Sequence, residues 1–305
     1  MKLEFGFLSS ELDLSVGPIS VKTLSNLDLK CSAILQSGQA HRDWVYAPRC
    51  ASSDSSGKTI ELPFHSRVFG LPKTHAIEHS AADCKEHVEF LVWCLSFFTG
   101  IRLTCTEAGY VDAAPLKPHA LTDFVLHPSS EADALALGEA FWRRAPSWEN
   151  AKLIVAMIHS LFVSQSPQSL QYERFFHAYA AIDAGYAYLK RAGLVQSATH
   201  SARIAKMCEH FKMDTPAWAI FSGRNSPLAE IRNPTFHEAL FAGEPLGFAI
   251  YASTQIDSGA DQNLLLEMEA LICRLLVAIL GKPDCEYVKS AVTTRQLHGL
   301  DLRRT

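Results

Sequence analysis

Over the first eighty residues, apolar and polar positions alternate in short runs (KLEFGFL, PISVKTL, KCSAILQS, WVYAP, IELPFH) separated by Gly, Ser and Pro. A two-residue period bounded by turn formers predicts short strands. The densest cluster of turn residues, Ala51-Ser-Ser-Asp-Ser-Ser-Gly57, reads as a loop. The pattern changes between Ala81 and Thr99, where Val88, Leu91, Val92, Leu95 and Phe98 recur at threes and fours and Gly100 stands ready to end a helix. Strand-like runs return at 101–106 and 120–126, so residues 1–129 are expected to form an α+β domain.

Beyond Ser129 the strong periodicities are helical. Residues 131–144 and 148–163 make one pair of helices. In 170–189, Phe175, Tyr179, Ile182, Tyr186 and Leu189 repeat at fours and threes and form a broad apolar stripe, read as core packing rather than an aromatic stacking surface. Ser201 is placed to cap a shorter helix reaching Phe211, and Asp214-Thr-Pro-Ala-Trp to start another with Pro at an early position. Residues 263–280 form a strongly apolar helix ended by Gly281 and Pro283. The overall expectation is an α+β protein: a mixed domain over 1–129, an all-α bundle of four or five helices over 130–283, and a tail over 284–305 that has lost periodicity.

At 305 residues the chain can bury one large or two medium cores, and 48% hydrophobic with 20% charged residues describes a folded, soluble protein. A formal charge of −4 supplies no global basic field, so any nucleic-acid contact requires a local patch. The eight cysteines include no CxxC pair and several lie in apolar helical runs, which fits small buried hydrophobes in a reducing compartment. The opening MKLEFGFLSSELDLS carries acids where a signal peptide has its apolar core. The longest apolar runs are too short to span a bilayer. These features point to a cytoplasmic protein that does not insert into membranes.

The chemistry concentrates in Glu230-Ile-Arg-Asn-Pro-Thr-Phe-His-Glu-Ala-Leu240, which sets Arg232, Asn233 and His237 within six residues. An Arg followed by Asn, three residues and His, late in a helical domain that opens with LQYERFFHAYAAIDAGY and closes with an apolar helix, resembles the HEPN superfamily. The resemblance covers residues 150–283 and is nearest to bacterial HEPN proteins with a separate amino-terminal domain, many of them tied to toxin–antitoxin or anti-phage systems.

That resemblance implies a metal-independent endoribonuclease, without cofactor, acting as a homodimer whose two motifs face each other across an RNA strand, with an antitoxin or a phage-derived trigger as a further partner. Its logic follows from the residue types. Attack by a 2′-hydroxyl needs a base, an acid for the leaving 5′-oxygen, and donors for the charge on the phosphoryl oxygens. Histidine titrates near neutrality and arginine offers a permanent fork of donors. One His does not comfortably fill both proton-transfer roles, and a two-fold pair supplies the second. By this carry-over Arg232 holds the phosphate, His237 moves protons and Asn233 orients the His or the ribose. Glu173 and Asp183 on the first long bundle helix and Arg224 in the turn Ser222-Gly-Arg-Asn-Ser-Pro are candidate substrate contacts.

The chain also departs from the family. Pro234 makes the helix kink or begin at Asn233, with Asn233 as N-cap and His237 in the first turn, which commits the amide to the helix end. The tyrosine that nucleotidyltransferase-paired members carry three residues after the His is Leu240 here. A catalytically silent bundle serving dimerisation or ligand binding therefore stands as the alternative. A third reading is a zinc enzyme built on His75, His79, Cys84 and His87, in which His75 and His79 share a helix face. No phosphate-binding glycine loop, HExxH or Gly-x-Ser-x-Gly occurs.

Overall fold

The computed structural model describes residues 1–144, 148–220, 226–229, 231–232, 264–290 and 297–303. The protein is α+β, strand-rich in its amino-terminal region and helical later. It divides into two compact units. One holds Met1–Leu121, Glu131–Gly138 and Ser166–Gln168; the other holds Thr122–Ser130, Glu139–Gln165 and Ser169–Thr305. Among the described residues no helix is long and apolar enough to cross a membrane.

In chain order the first unit contains β1 (Lys2–Phe5), β2 (Leu14–Val16), β3 (Ile19–Thr23), α1 (Leu27–Gln36), β4 (Ala40–His41), β5 (Trp44–Tyr46), β6 (Arg49–Ser53), β7 (Thr59–His65), β8 (Val68–Phe69), β9 (His75–His79), α2 (Lys85–Thr99), β10 (Tyr110–Val111) and β11 (Ala113–Pro115). Its centre is an antiparallel sheet in the order β1-β9-β3-β2, with Leu3 opposite Ile77 and Ile77 opposite Val21. Helix α2 lays Val88, Leu91 and Leu95 against Phe5, Ile19, Val21 and Ile77, all fully or nearly fully buried. Burying each such side chain stabilises the fold by about 1.5–3 kcal/mol. Gly100 ends α2 in the left-handed region (φ 62°), where a side chain is strained, and its N–H donates to the carbonyls of Phe97 and Ser96.

Four expectations for this region change. The run KCSAILQS, read as a strand, lies mostly in helix α1, which buries Leu27 and Ile34. Residues 75–79 are a buried strand rather than part of a helix or a loop. On a strand, positions four apart lie about 13 Å from each other, so His75 and His79 share a sheet face but no common ligand. Within 51–57, Ala51–Ser53 belongs to β6; only Asp54–Gly57 turns, with Asp54 Oδ1 accepting from the amides of Ser56 (2.8 Å) and Lys58 (3.0 Å). Residues 101–106 form a single bridge, Gly6 to Thr104, in place of a strand. The Ser96 hydroxyl explains this: it takes the amide of Leu103 (2.8 Å) and donates to its carbonyl (3.1 Å), which occupies groups a ladder would use.

The second unit contains β12 (Phe124–Leu126), the last part of α3 (Glu131–Arg144), α4 (Trp148–Ser164), α5 (Gln171–Arg191), α6 (Arg203–Phe211), α7 (Leu264–Leu280), α8 (Glu286–Lys289) and β13 (His298–Leu300). The expected spans of the long helices are matched within about two residues. Helices α4 and α5 pack along each other and against α7. Gly185 permits this: a Cβ there would press on Met157 Sδ at 3.0 Å and meet Ile279 Cδ1 at 3.6 Å. Around Pro216 the chain makes a 3-10 turn, Ala217–Ala219, instead of a helix. A second 3-10 turn, His200–Ala202, leads into α6.

Helices do not account for the whole unit. Strand β13, in the region without periodicity, pairs in parallel with β12, Phe124 opposite His298 and Leu126 opposite Leu300. The Ser129 hydroxyl then receives the amide of Leu302 at 2.7 Å. A three-residue strand is too short to leave a period in the sequence.

Candidate functional site

Polar side chains gather at two places in the second unit, and burial distinguishes them. The first is along α7, an otherwise apolar helix carrying Glu267, Glu269 and Arg274, all buried. Glu267 accepts from the indole N–H of Trp218 at 2.7 Å, and burial pushes its carboxyl up. Glu269 receives Arg174 at 2.8 Å; burial raises its pKa against the opposing pull of that guanidinium. Arg274 is 0% exposed, donates to Asp123 Oδ2 at 2.8 Å and to the Ala270 carbonyl at 3.1 Å, and stacks over the Tyr287 ring with Cζ 4.6 Å from its centre. Tyr287 itself donates to Asp123. These pairs tie α7 to its neighbours, with the α7 side chains themselves buried.

The second cluster lies where α5, the 3-10 turn and α6 meet Arg232, and it is partly open. Tyr179 and Asp183 are one helical turn apart on α5, so their side chains rise from one face. The Tyr179 hydroxyl is 3.0 Å from His200 Nδ1. Asp183 accepts from Arg203 Nη1 at 2.6 Å and lies 3.8 Å from His200 Nδ1. Arg203 sits over the Tyr186 ring (5.0 Å) and Arg232 over the Tyr179 ring (5.7 Å). Side-chain exposures of 38% for His200, 31% for Asp183 and 21% for Arg203 leave the cluster reachable from solvent.

Its electrostatics are net cationic, with two guanidinium groups against one carboxylate, inside a chain of net charge −4. Burial raises the Tyr179 phenol to about 12; Asp183 adds to the rise, and Arg232 and Arg203 oppose it, Arg232 also through a hydrogen bond. The phenol therefore keeps its proton at neutral pH. With Arg232 donating to its oxygen, its own hydrogen points to His200 Nδ1. The neutral imidazole then carries its proton on Nε2.

Of the residues singled out in the sequence, Arg232 and Asp183 both border Tyr179. Glu173 lies elsewhere on α5, in its first turn, where its carboxylate accepts the Leu170 amide at 2.8 Å and caps the helix. About ten residues, or roughly 15 Å of helix, separate it from Asp183. Asn233, His237 and Arg224 lie outside the described residues. Tyr179 is buried, as a core residue should be, yet its hydroxyl joins the polar cluster. Sequence reasoning passed over His200 and Arg203. The available signal was their spacing of three at the start of a helix, opposite a Tyr and an Asp four apart.

The four zinc candidates do not converge. His75 is fully buried, stacks on Phe5 (5.5 Å between ring centres) and has Nδ1 3.0 Å from the Thr74 hydroxyl, while Cys84 is the residue preceding α2. Only His79 and His87 approach each other, with ring centres 4.7 Å apart. All eight cysteines are free thiols; Cys94, Cys208, Cys273 and Cys285 are buried, and burial pushes Cys208 to about 12. Such thiols are poor nucleophiles.

No protein-family model, no curated protein and no solved structure matches the chain.

Proposed function

We propose that this protein is a metal-independent endoribonuclease of the HEPN type, its second unit being a HEPN-like bundle that cuts RNA through attack of the 2′-hydroxyl. What supports the reading is the position of Arg232. The motif's arginine stands over Tyr179, whose phenol Asp183 also influences, both on the long helix whose sequence carries the other half of the resemblance. In this role Arg232 binds two phosphoryl oxygens through its planar fork. Arg203, held by Asp183, adds a second cation, and the local positive charge offsets a net acidic chain. His237 transfers protons and Asn233 orients it or the ribose; a homodimer, an antitoxin or phage-derived trigger and a cytoplasmic setting belong to the same proposal.

The experiment is incubation of the purified protein with RNA in EDTA, beside Arg232→Ala and His237→Ala. Loss of a charged donor acting on the transition state lowers the rate about 100- to 1,000-fold, so both variants are expected to be inactive and the wild type insensitive to EDTA. An inert wild type favours the alternative, a silent bundle that binds a ligand or a second copy. The 2.6 Å pair between Arg203 and Asp183 speaks for that alternative, because it already satisfies part of the cation's charge.

A further inference from the structure

The cluster around Tyr179 holds an imidazole that the motif itself does not contain. We propose that His200 is the general acid of this site, the group that protonates the leaving 5′-oxygen, supplied by the same chain as Arg232. The inference rests on the ribonuclease reading above and adds to it a catalytic residue from a different segment.

Orientation carries the argument. The Tyr179 hydroxyl lies 3.0 Å from His200 Nδ1, and Asp183 Oδ2 approaches the same nitrogen at 3.8 Å. Both groups address the Nδ1 edge of the ring, and in the proposed role proton exchange with a substrate uses Nε2. A hydroxyl and a carboxylate on the far nitrogen fix the imidazole's rotation and steady its protonated form. Among the described residues, the titratable groups against it include Tyr179 and Asp183 from α5, and these in turn carry Arg232 and, from α6, Arg203. An imidazolium's ordinary proton affinity suits proton donation to a leaving alkoxide near neutral pH. In this role Arg203 and Arg232 grip the phosphate, and His200, tied to the same Tyr179 and Asp183, meets its leaving oxygen.

The step balances as an internal transesterification. A base removes the 2′-hydroxyl proton, O2′ bonds to phosphorus, the bond from phosphorus to O5′ breaks, and the Nε2 proton of the His200 imidazolium passes to O5′. The products are a 2′,3′-cyclic phosphate and a free 5′-hydroxyl, with no oxidant, reductant or metal consumed. His200 ends neutral and regains its proton from the base side or from water.

A leaving-group test isolates the role. Wild type, His200→Ala, His200→Gln and Arg232→Ala are compared on a short RNA and on the same RNA with sulfur replacing the bridging O5′ at the cleaved bond. A thiolate leaves without protonation, so an enzyme lacking only its acid recovers on the sulfur substrate. Both His200 variants are expected to lose about 100-fold or more on the oxygen substrate and to regain most of it on the sulfur one, whereas Arg232→Ala stays impaired on both. The Gln variant preserves a hydrogen-bonding side chain, so its failure on oxygen cannot be assigned to a collapsed turn. Wild-type rates in the His200 variants, or equal losses on the two substrates, overturn the role of His200 and leave the ribonuclease reading intact. A wild type inert on both substrates overturns that reading and this inference together.

Discussion

The α7 cluster and the Tyr179 cluster are built from the same residue types in the same unit, yet they differ in where water stands. On α7 itself the charged groups are buried, between 0% and 8% exposed: Arg274 meets Asp123 and the Ala270 carbonyl, Glu269 meets Arg174 and Glu267 meets Trp218. Around Tyr179 the groups are about a quarter to a third open and share partners, so one hydroxyl serves both an arginine and an imidazole. Buried pairs hold helices in register. Partly open, shared partners can be exchanged for a ligand's oxygens. Residue identity alone does not separate structure from chemistry here; solvent access does.

Removing a single charge sharpens this contrast most strongly. Arg274→Ala leaves Asp123 and the Tyr287 hydroxyl without their cation in the interior and is expected to cost about 3–5 kcal/mol. Arg203→Ala, on a side chain that solvent can reach, is expected to cost less than about 1 kcal/mol. Urea unfolding of the two variants side by side checks this, and equal losses would erase the distinction.

The next effect belongs to the sheet of the first unit. Burial lowers the His75 pKa from 6.5 to about 4. The unfolded chain binds that proton first, so the stability due to a neutral His75 is fully present above pH 6.5 and falls as the pH drops toward 4. The loss across this window is on the order of 3 kcal/mol. His75→Gln, compared with wild type at pH 7 and pH 4 by thermal melting, should show a shallower fall. An unchanged slope would mean that the acid sensitivity arises elsewhere.

A smaller loss than that of His75 accompanies Tyr179→Phe, which keeps the buried ring and deletes the hydroxyl linking Arg232 to His200. It should cost about 1 kcal/mol while reducing RNA cleavage far more than that figure implies. A variant that melts lower yet cuts normally would place Tyr179 with the α7 pairs as a packing residue.

Much of the helical framework was legible along the chain. The spans of α3, α4, α5 and α7 follow from apolar residues at threes and fours, because burying one face of a helix demands that period. The 75–79 segment shows the limit: HAIEH carries two histidines whose separation suits one helix face, and only pairing with β1 and β3 made it a strand. Arg232 drew notice through its spacing to Asn233 and His237, and Asp183 as an acid on the first long bundle helix. His200 and Arg203 did not, since a short amphipathic helix with a basic start has an ordinary explanation.

By itself the sequence determined which segments coil into helices, that the chain is net acidic while carrying a local group of arginine, asparagine and histidine, and that its cysteines fit as small apolar side chains. Only the tertiary structure decided that Tyr179, Asp183, His200, Arg203 and Arg232 share one place, that β13 closes against β12, and that Arg274 is sealed from water. The reason is range. A period along the chain records which side of an element must be dry, whereas hydrogen bonds between residues twenty or fifty positions apart depend on how those elements cross.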